Sequence, residues 1–455
     1  MLPEKFKERM KRLLGNGYAD FEKAMTEDEP VRAFRINLIK AADKDAVRDS
    51  LAKSPVPYEK NAYILKDGIR VGSTPEHHSG VIYVQDPGAM SALAAIDIKK
   101  GALAIDLCAA PGGKSTKIAE AIGEGGVLLS NEYVPKRAKL LVGNFERLGI
   151  KNAIVTSLDT AELARLYEGV FDLVVADVPC SGEGMFRKSE EALEMWSEEN
   201  VALCKERQRE ILENAAGLVA DGGTLLYSTC TFSTEENEEN VIEFLNTHPD
   251  FSLVPVKETL LPYTAPAIDV DGRHPEIALA ARRFYPHLAR GEGQFVAVMK
   301  RNGGGKRKFN YKEKVNFPTK DESSAISRFF SDYMKEVPGE RIVKHGENLV
   351  LAPKDFPIPP RSVFLSGVLL GEVRGKMLFP SHQLFSAYGE LFKNKVELKS
   401  DDPRLEKYLR GEQIPSTEGF SGWCAVTHMG AVVGGGKANG TVINNHYPKG
   451  LRNKD

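Results

Sequence analysis

The chain has 455 residues, 42% hydrophobic and 27% charged, with a formal net charge of -2, enough for about three domains. No apolar run approaches the ~18 residues a membrane span needs, and the start, MLPEKFKERMKRLLG, lacks the apolar stretch of a secretory leader, so a cytoplasmic protein is expected. Five cysteines, at 108, 180, 204, 230 and 424, contain no CxxC pair, which argues against a disulfide framework and a structural zinc site.

Charge is unevenly spread. Residues 300–455 hold 26 Lys+Arg against 17 Asp+Glu, which leaves 35 against 46 for residues 1–299. A basic tail on an acidic body suits an anionic partner such as nucleic acid, although charge alone fits a merely soluble surface better.

In chain order, residues 1–95 carry an amphipathic helix and two strand-like stretches, RAFRINLIKA (32–41) and NAYILKDG. Arg35 and Asn37 are candidates for RNA contact or for fold support, and His77 and His78 read as exposed loop residues. Residues 96–300 alternate short apolar runs with amphipathic helices, ending in FVAVMKR (295–301). This alternation predicts an α/β fold, a doubly wound sheet with ligands beyond the carboxyl ends of its strands. RNGGGKRKFN (301–310) reads as a flexible basic linker. Residues 311–375 then form a small mixed segment and 376–455 a β-rich one, in which GAVVGGGKANG suggests hairpin turns rather than phosphate binding.

AIDLCAAPGGKST (104–116) reads as strand, glycine turn and helix. A dinucleotide fingerprint, G-x-G-x-x-G, is absent. A P-loop, and with it an NTPase, would need a glycine where Cys108 stands, although Gly113-Lys114-Ser115 fit and FDLVVAD imitates the accompanying acidic strand. The third reading is the S-adenosylmethionine site of a class I methyltransferase. Glu132, ending GGVLLSNE about twenty residues on, favours it, because an acid there meets ribose hydroxyls. Asp159, after IVTSL, is placed for an adenine amino group or for an ordinary turn, and Asp177 ends the next strand.

DVPCSGEGMFRK (177–188) puts Cys180 where enzymes that methylate exocyclic amines carry an aromatic residue, and GGTLLYSTC puts Cys230 at the end of the following strand. A thiolate that adds to carbon 6 of a pyrimidine makes carbon 5 nucleophilic enough to take a methyl group. A carboxyl group such as Asp177 would stabilise the adduct. Which thiol attacks stays open on chemistry alone. Ser233 or Thr234 in FSTEEN is expected to cap a helix whose positive end favours the Cys230 thiolate.

DLCAAPGGKST, DVPCSGEGMFRK and YSTCTFSTEENE together resemble the Nol/Nop/Sun family of RNA cytosine-5 methyltransferases. The flanks FRINLIK, YVQDPGAMS, RRFYPHLARGEGQF and GKANGTVINNHYPKGLR resemble its bacterial RsmF type, which modifies 16S ribosomal RNA. The resemblance implies a Rossmann-like catalytic domain between an N-terminal α+β RNA-binding domain and C-terminal α+β and PUA-like modules. It implies Cys230 as nucleophile and Cys180 in product release. Cys108, Ala109, Ala110, Pro111, Gly112, Gly113, Lys114, Glu132, Asp159 and Asp177 would line the cofactor and base site, with Lys114 near the chemistry. The implied cofactor is S-adenosyl-L-methionine and the implied partner is 16S ribosomal RNA or the small ribosomal subunit, bound by a monomer. A tRNA or other RNA substrate and a non-catalytic RNA-binding factor are the alternatives. Cys204 and Cys424 are expected to be core residues, His287 follows the family pattern but could as easily order a loop, and the nine histidines show no metal-ligand spacing.

Overall fold

The computed structural model describes residues 2–303, 307–354 and 356–453. Among them, a ten-stranded sheet forms the centre. Its strands are β1 (Leu103–Asp106), β2 (Val127–Asn131), β3 (Ala153–Thr156), β4 (Phe171–Asp177), β5 (Val219–Thr229), β6 (Phe251–Val254), β7 (Ala265–Pro266), β8 (Arg282–Phe284), β9 (Gln294–Arg301) and β10 (Val363–Ser366). The order is β7-β8-β9-β5-β4-β1-β2-β3-β10, with β6 also on β9. The five strands β5-β4-β1-β2-β3 are parallel. β9 and β10 join antiparallel, so the expected parallel sheet is mixed at its flanks. β2 and β3 are buried at every position, as strands covered by helices on both faces must be. The strand order reverses between β1 and β4, which opens a crevice at their carboxyl ends.

The first two helices, Glu4–Leu14 and Tyr18–Thr26, pack on the central sheet's loops. Phe6 meets Phe186 and Trp196 edge-on at ring distances of 5.1 and 6.0 Å, and Phe21 meets Phe232 at 5.2 Å. A four-stranded sheet follows, in the order Ala52–Pro55, Ala62–Leu65, Ala33–Ile36 and Ile82–Val84.

Arg35 and Asn37 turn inward rather than toward RNA. Arg35, 4% exposed, donates to Gln85 Oε1 (2.9 Å), to the Gly113 carbonyl (2.8 Å) and to Thr116 Oγ1 (3.1 Å). Asn37 Nδ2 donates to the carbonyls of Gly80 and Leu148. His78 is buried, not exposed: its ring nitrogens meet Tyr447 Oη and Asn453 Oδ1, both at 2.7 Å. His77 Nδ1 is also buried. The sequence offered no hint that the chain's last residues would cover this loop.

Beyond β9, Lys308–Phe309 pairs with Tyr167–Glu168, and residues 304–306 of the expected linker lie outside the described residues. A four-stranded sheet spans Arg341–His345 to Met377–Pro380, and a five-stranded one spans Lys395–Glu397 to Val442–Asn445. Gly434, Gly435 and Gly436 sit inside the strand Ala431–Asn439 instead of in a turn. A Cβ there would come within 2.6 Å of Tyr408, 2.4 Å of Phe385 and 2.4 Å of Ile443, so close packing excludes a side chain. Cys204 and Cys424 are buried. Among the described residues no helix is long and apolar enough to cross a membrane.

Candidate active site

The glycine turn leaves β1 and enters the helix Gly113–Ile122. Gly112 has φ +113°, a conformation that excludes most side chains. The turn is tied to its neighbours: Ala109 N donates to the Asn131 carbonyl, Arg137 Nη2 to the Ala110 carbonyl and Asn144 Nδ2 to the Pro111 carbonyl. Cys108 is half-buried and Ala109 and Ala110 are buried at its start.

Three of the expected carboxylates mark successive strand ends. Glu132, 3% exposed, follows β2; its Oε1 accepts from Val134 N at 3.0 Å and its Oε2 lies 3.4 Å from Arg137 Nη1. Asp159, after β3, is exposed and caps the helix Thr160–Leu166 by accepting from Ala161 N. Asp177, ending β4, is the meeting point of the site. Its Oδ2 lies 2.7 Å from Lys114 Nζ, while Oδ1 accepts from Ser228 Oγ at 2.7 Å and Gln294 Nε2 at 3.3 Å.

Cys180 follows β4 and Cys230 follows β5, and their Sγ atoms are 3.3 Å apart. The bond to Cys230 and burial push the Cys180 thiol well up. The Cys230 loop is fixed at several points: its carbonyl accepts from Gly184 N (2.8 Å), Thr229 Oγ1 donates to Asn237 Oδ1 (2.6 Å) and Asn237 Nδ2 donates to the Thr231 carbonyl (3.0 Å). The helix after it begins only at Glu238, preceded by Asn237 with no side-chain cap. Ser233 and Thr234 donate to Glu235 and Ser233 Oγ accepts from Glu236 N at 3.3 Å, so the serine caps the turn ahead of the helix instead of the helix itself, which begins three or four residues farther from Cys230 than FSTEEN suggested.

Asp106, 1% exposed, closes the floor of the crevice: Oδ2 accepts from Ser115 Oγ at 2.7 Å, Oδ1 has no hydrogen-bond partner, and burial pushes the carboxyl up to about 7. An orphaned buried oxygen beside a glycine turn suits a ligand with a positively charged amino group. Glu132 supplies an acceptor for ribose. Tyr133, 69% exposed beside Glu132, offers a ring face at the same rim. Sequence reasoning missed Tyr133 and Arg137, whose signals were only an aromatic and a cation just after the Glu132 strand. It also missed Ser228 and Gln294, which converge on Asp177 from two other strands. His287 packs its ring against Phe21 and Tyr285 at 5.8 and 5.5 Å, so it supports the fold. Among the described residues no cluster of His, Cys, Asp and Glu is arranged to hold a metal.

Residues 93–300 match the family described as 16S rRNA methyltransferase RsmB/F, residues 2–87 the N-terminal domain of 16S rRNA methyltransferase RsmF, and residues 393–453 the methyltransferase RsmF PUA domain. The ribosomal RNA small subunit methyltransferase F of Klebsiella pneumoniae is 30% identical, with 92% of this chain and 90% of that protein covered. Its counterpart in Vibrio parahaemolyticus is 29% identical, with 99% and 97% covered. A solved methyltransferase homolog protein from Pyrococcus horikoshii is 28% identical, with a TM-score of 0.56 over 66% of this chain and 95% of that one. A Rossmann-like sheet with the glycine turn at its switch point, flanked by these N-terminal and PUA domains, places the chain in the RsmF family of ribosomal RNA small subunit methyltransferases.

Proposed function

We propose that the protein methylates carbon 5 of a cytosine in 16S ribosomal RNA through a transient bond from Cys230 to carbon 6. The observation that carries this reading is the pair of thiols 3.3 Å apart, one of them three residues after Asp177, which pairs with Lys114. One thiol has many structural explanations; two in contact at adjacent strand ends have few.

S-adenosylmethionine, when bound, supplies the electrophilic methyl group that carbon 5 takes. The turn Cys108 to Lys114, Glu132 at the ribose and Asp159 at the adenine amino group would hold it, with Asp177 between cofactor and base. Cys230 adds to carbon 6 as the thiolate. The Lys114–Asp177 pair holds a proton against the negative charge that develops at ring nitrogen 3. After methylation the carbon 5 proton passes to solvent, from which Cys180 later recovers the proton it gives up; the carbon 5–hydrogen electron pair re-forms the 5,6 double bond and the carbon 6–sulfur bond breaks. Cys180, kept as a thiol, assists this release by protonating the departing Cys230 sulfur across their contact. The target base must leave its stack to reach the crevice. The segment to residue 95 and the modules beyond the 301–310 linker would grip the RNA, in a cytoplasmic monomer.

The test compares Cys230→Ala and Cys180→Ala on 16S ribosomal RNA with the methyl donor. Cys230→Ala is expected to give neither 5-methylcytosine nor an adduct. Cys180→Ala is expected to accumulate a denaturation-resistant protein–RNA complex. The reverse pattern overturns the assignment, and product from both variants overturns the covalent route.

A further inference from the structure

A carboxylate that the reaction does not use directly joins the loops that carry the two thiols. Glu236 is 0% exposed. Its Oε2 accepts from Ser181 N at 2.9 Å and from Gln208 Nε2 at 2.8 Å, and its Oε1 accepts from Ser181 Oγ. Ser181 directly follows Cys180, and its Oγ lies 2.9 Å from the Oγ1 of Thr231, which directly follows Cys230. Gln208 also donates to the carbonyl of Pro179, which directly precedes Cys180, at 2.9 Å. Glu236 is itself fixed from the sheet, because Tyr227 Oη donates to its carbonyl at 2.5 Å.

The neighbouring buried acids differ from it. Glu183 pairs with Arg9, and Glu238 with Arg283. Among the described residues the donors bonded to Glu236 are neutral, so its charge is not balanced by an ion pair. Burial accordingly pushes this carboxyl up against hydrogen bonds that favour the charged form. An uncompensated buried acid costs stability, and a clamp needed only for packing would be served as well by an apolar contact. Three N–H and O–H donors converge on two oxygens, an arrangement that suits a carboxylate and not an amide, which would aim its own NH₂ at one of them.

We propose that Glu236 is a positioning residue for the two thiols: it binds the Cys180 loop to the Cys230 loop so that their sulfur atoms stay within proton-exchange contact. This rests on the covalent reading above. Its charge adds a second effect, because after the Cys230 bond and burial it is a further influence that keeps Cys180 in the thiol form. The other ionisable groups around the two loops are Cys230 itself, Glu183 with its partner Arg9, Glu235, Tyr227, Cys204, and Glu238 with Arg283, which also donates to the Phe232 carbonyl.

The test is Glu236→Gln in the full-length protein, with Glu236→Asp beside it. The expected result is a fall in kcat of roughly 100-fold, the scale of a misplacement of about 1 Å, with S-adenosylmethionine affinity by calorimetry within about threefold of wild type. A trapped protein–RNA adduct should accumulate as in Cys180→Ala, and the pH profile of Cys180 alkylation, followed by mass spectrometry, should move to lower pH. Glu236→Asp, which retains the charge on a shorter arm, should keep the wild-type alkylation profile while losing part of kcat. A kcat within about threefold of wild type in Glu236→Gln overturns the proposal. So does a loss of cofactor binding and melting temperature in step with kcat, which marks a merely structural role. If Glu236→Gln does not fold, Ser181→Ala removes one arm of the clamp; roughly tenfold slower turnover with adduct accumulation supports the proposal, and wild-type kinetics overturns it. Failure of the covalent reading shows separately, as normal methylation by Cys230→Ala.

Discussion

Replacing Arg9 by Met should reach the thiols from the far end of the chain. Arg9 lies on the first helix and pairs with Glu183, whose side chain is 0% exposed, while its own is 16% exposed. Glu183 follows Cys180 by three residues. It accepts from Trp196 Nε1 at 2.8 Å and from the backbone N of Phe232, two residues past Cys230, at 3.0 Å. Removing one partner of a buried ion pair leaves an unbalanced charge and costs roughly 3–5 kcal/mol. Arg9 retains some solvent contact and also lies over the Trp196 ring at 5.6 Å, so about 2–4 kcal/mol is expected, or roughly 5–10 °C in the melting of a domain of this size. Glu183→Gln alone should cost less, and the Arg9→Met, Glu183→Gln double variant should be more stable than the sum of the singles by about 2 kcal/mol, because neutralising the acid removes the penalty. Calorimetric unfolding of the three variants, with methyl transfer to ribosomal RNA measured in parallel, provides the check. Additive losses, or an Arg9→Met protein that melts within a degree of wild type and turns over at the wild-type rate, would refute the reasoning.

Lys40 links the first domain to later ones, donating to the Arg147 carbonyl (3.2 Å) and to Ser386 Oγ (3.0 Å). Burial pushes it down from 10.5 to about 7. The folded protein therefore holds this proton less tightly than the unfolded chain, and stability should rise as pH climbs from about 7 toward 10.5. Lys40 keeps partial solvent access, so the rise is about 1–2 kcal/mol, and it should be missing from the denaturation curves of Lys40→Met across that range. At Gly184, a Cβ would come within 2.6 Å of the Cys230 carbonyl oxygen and 2.8 Å of Gly293 Cα. Because backbone must then move, Gly184→Ala should cost about 1–3 kcal/mol and lower kcat by roughly 100-fold, with cofactor affinity by calorimetry unchanged.

What the sequence made legible is what is local in it. The glycine turn, Glu132, Asp159 and Asp177 were found because each marks the end of an apolar run, and a run buried on both faces predicts where its strand stops. The two cysteines were found for the same reason, one just beyond β4 and the other immediately after β5. Residues whose roles depend on distant partners were read wrongly, left open or missed. Arg35 stayed open between RNA contact and fold support because its partners Gly113 and Thr116 lie 78 and 81 positions away. His78 looked exposed because its cover, Tyr447 and Asn453, is supplied 369 and 375 residues later. FSTEEN looked like a helix cap because Ser and Thr ordinarily serve there, whereas here Asn237 and Glu236 are drawn into the thiol loops and the helix starts late.

That displacement points to the constraint on the site. Both cysteines stand on loops just past their strands, where chain entropy works against fixed geometry. A contact of 3.3 Å between them therefore needs ties that the strands do not supply. Glu183 and Glu236 provide them from opposite sides, each accepting from residues on the other thiol's loop or flank: Glu183 from Phe232 across 49 positions and Glu236 from Ser181 across 55. Buried carboxylates are costly groups for this purpose, and one of them draws its counter-charge from a helix 174 positions away. The first helices are thus joined to the catalytic loops by charge as well as by the Phe6 and Phe21 contacts. A displacement of these helices therefore reaches the thiol loops through the Arg9–Glu183 pair.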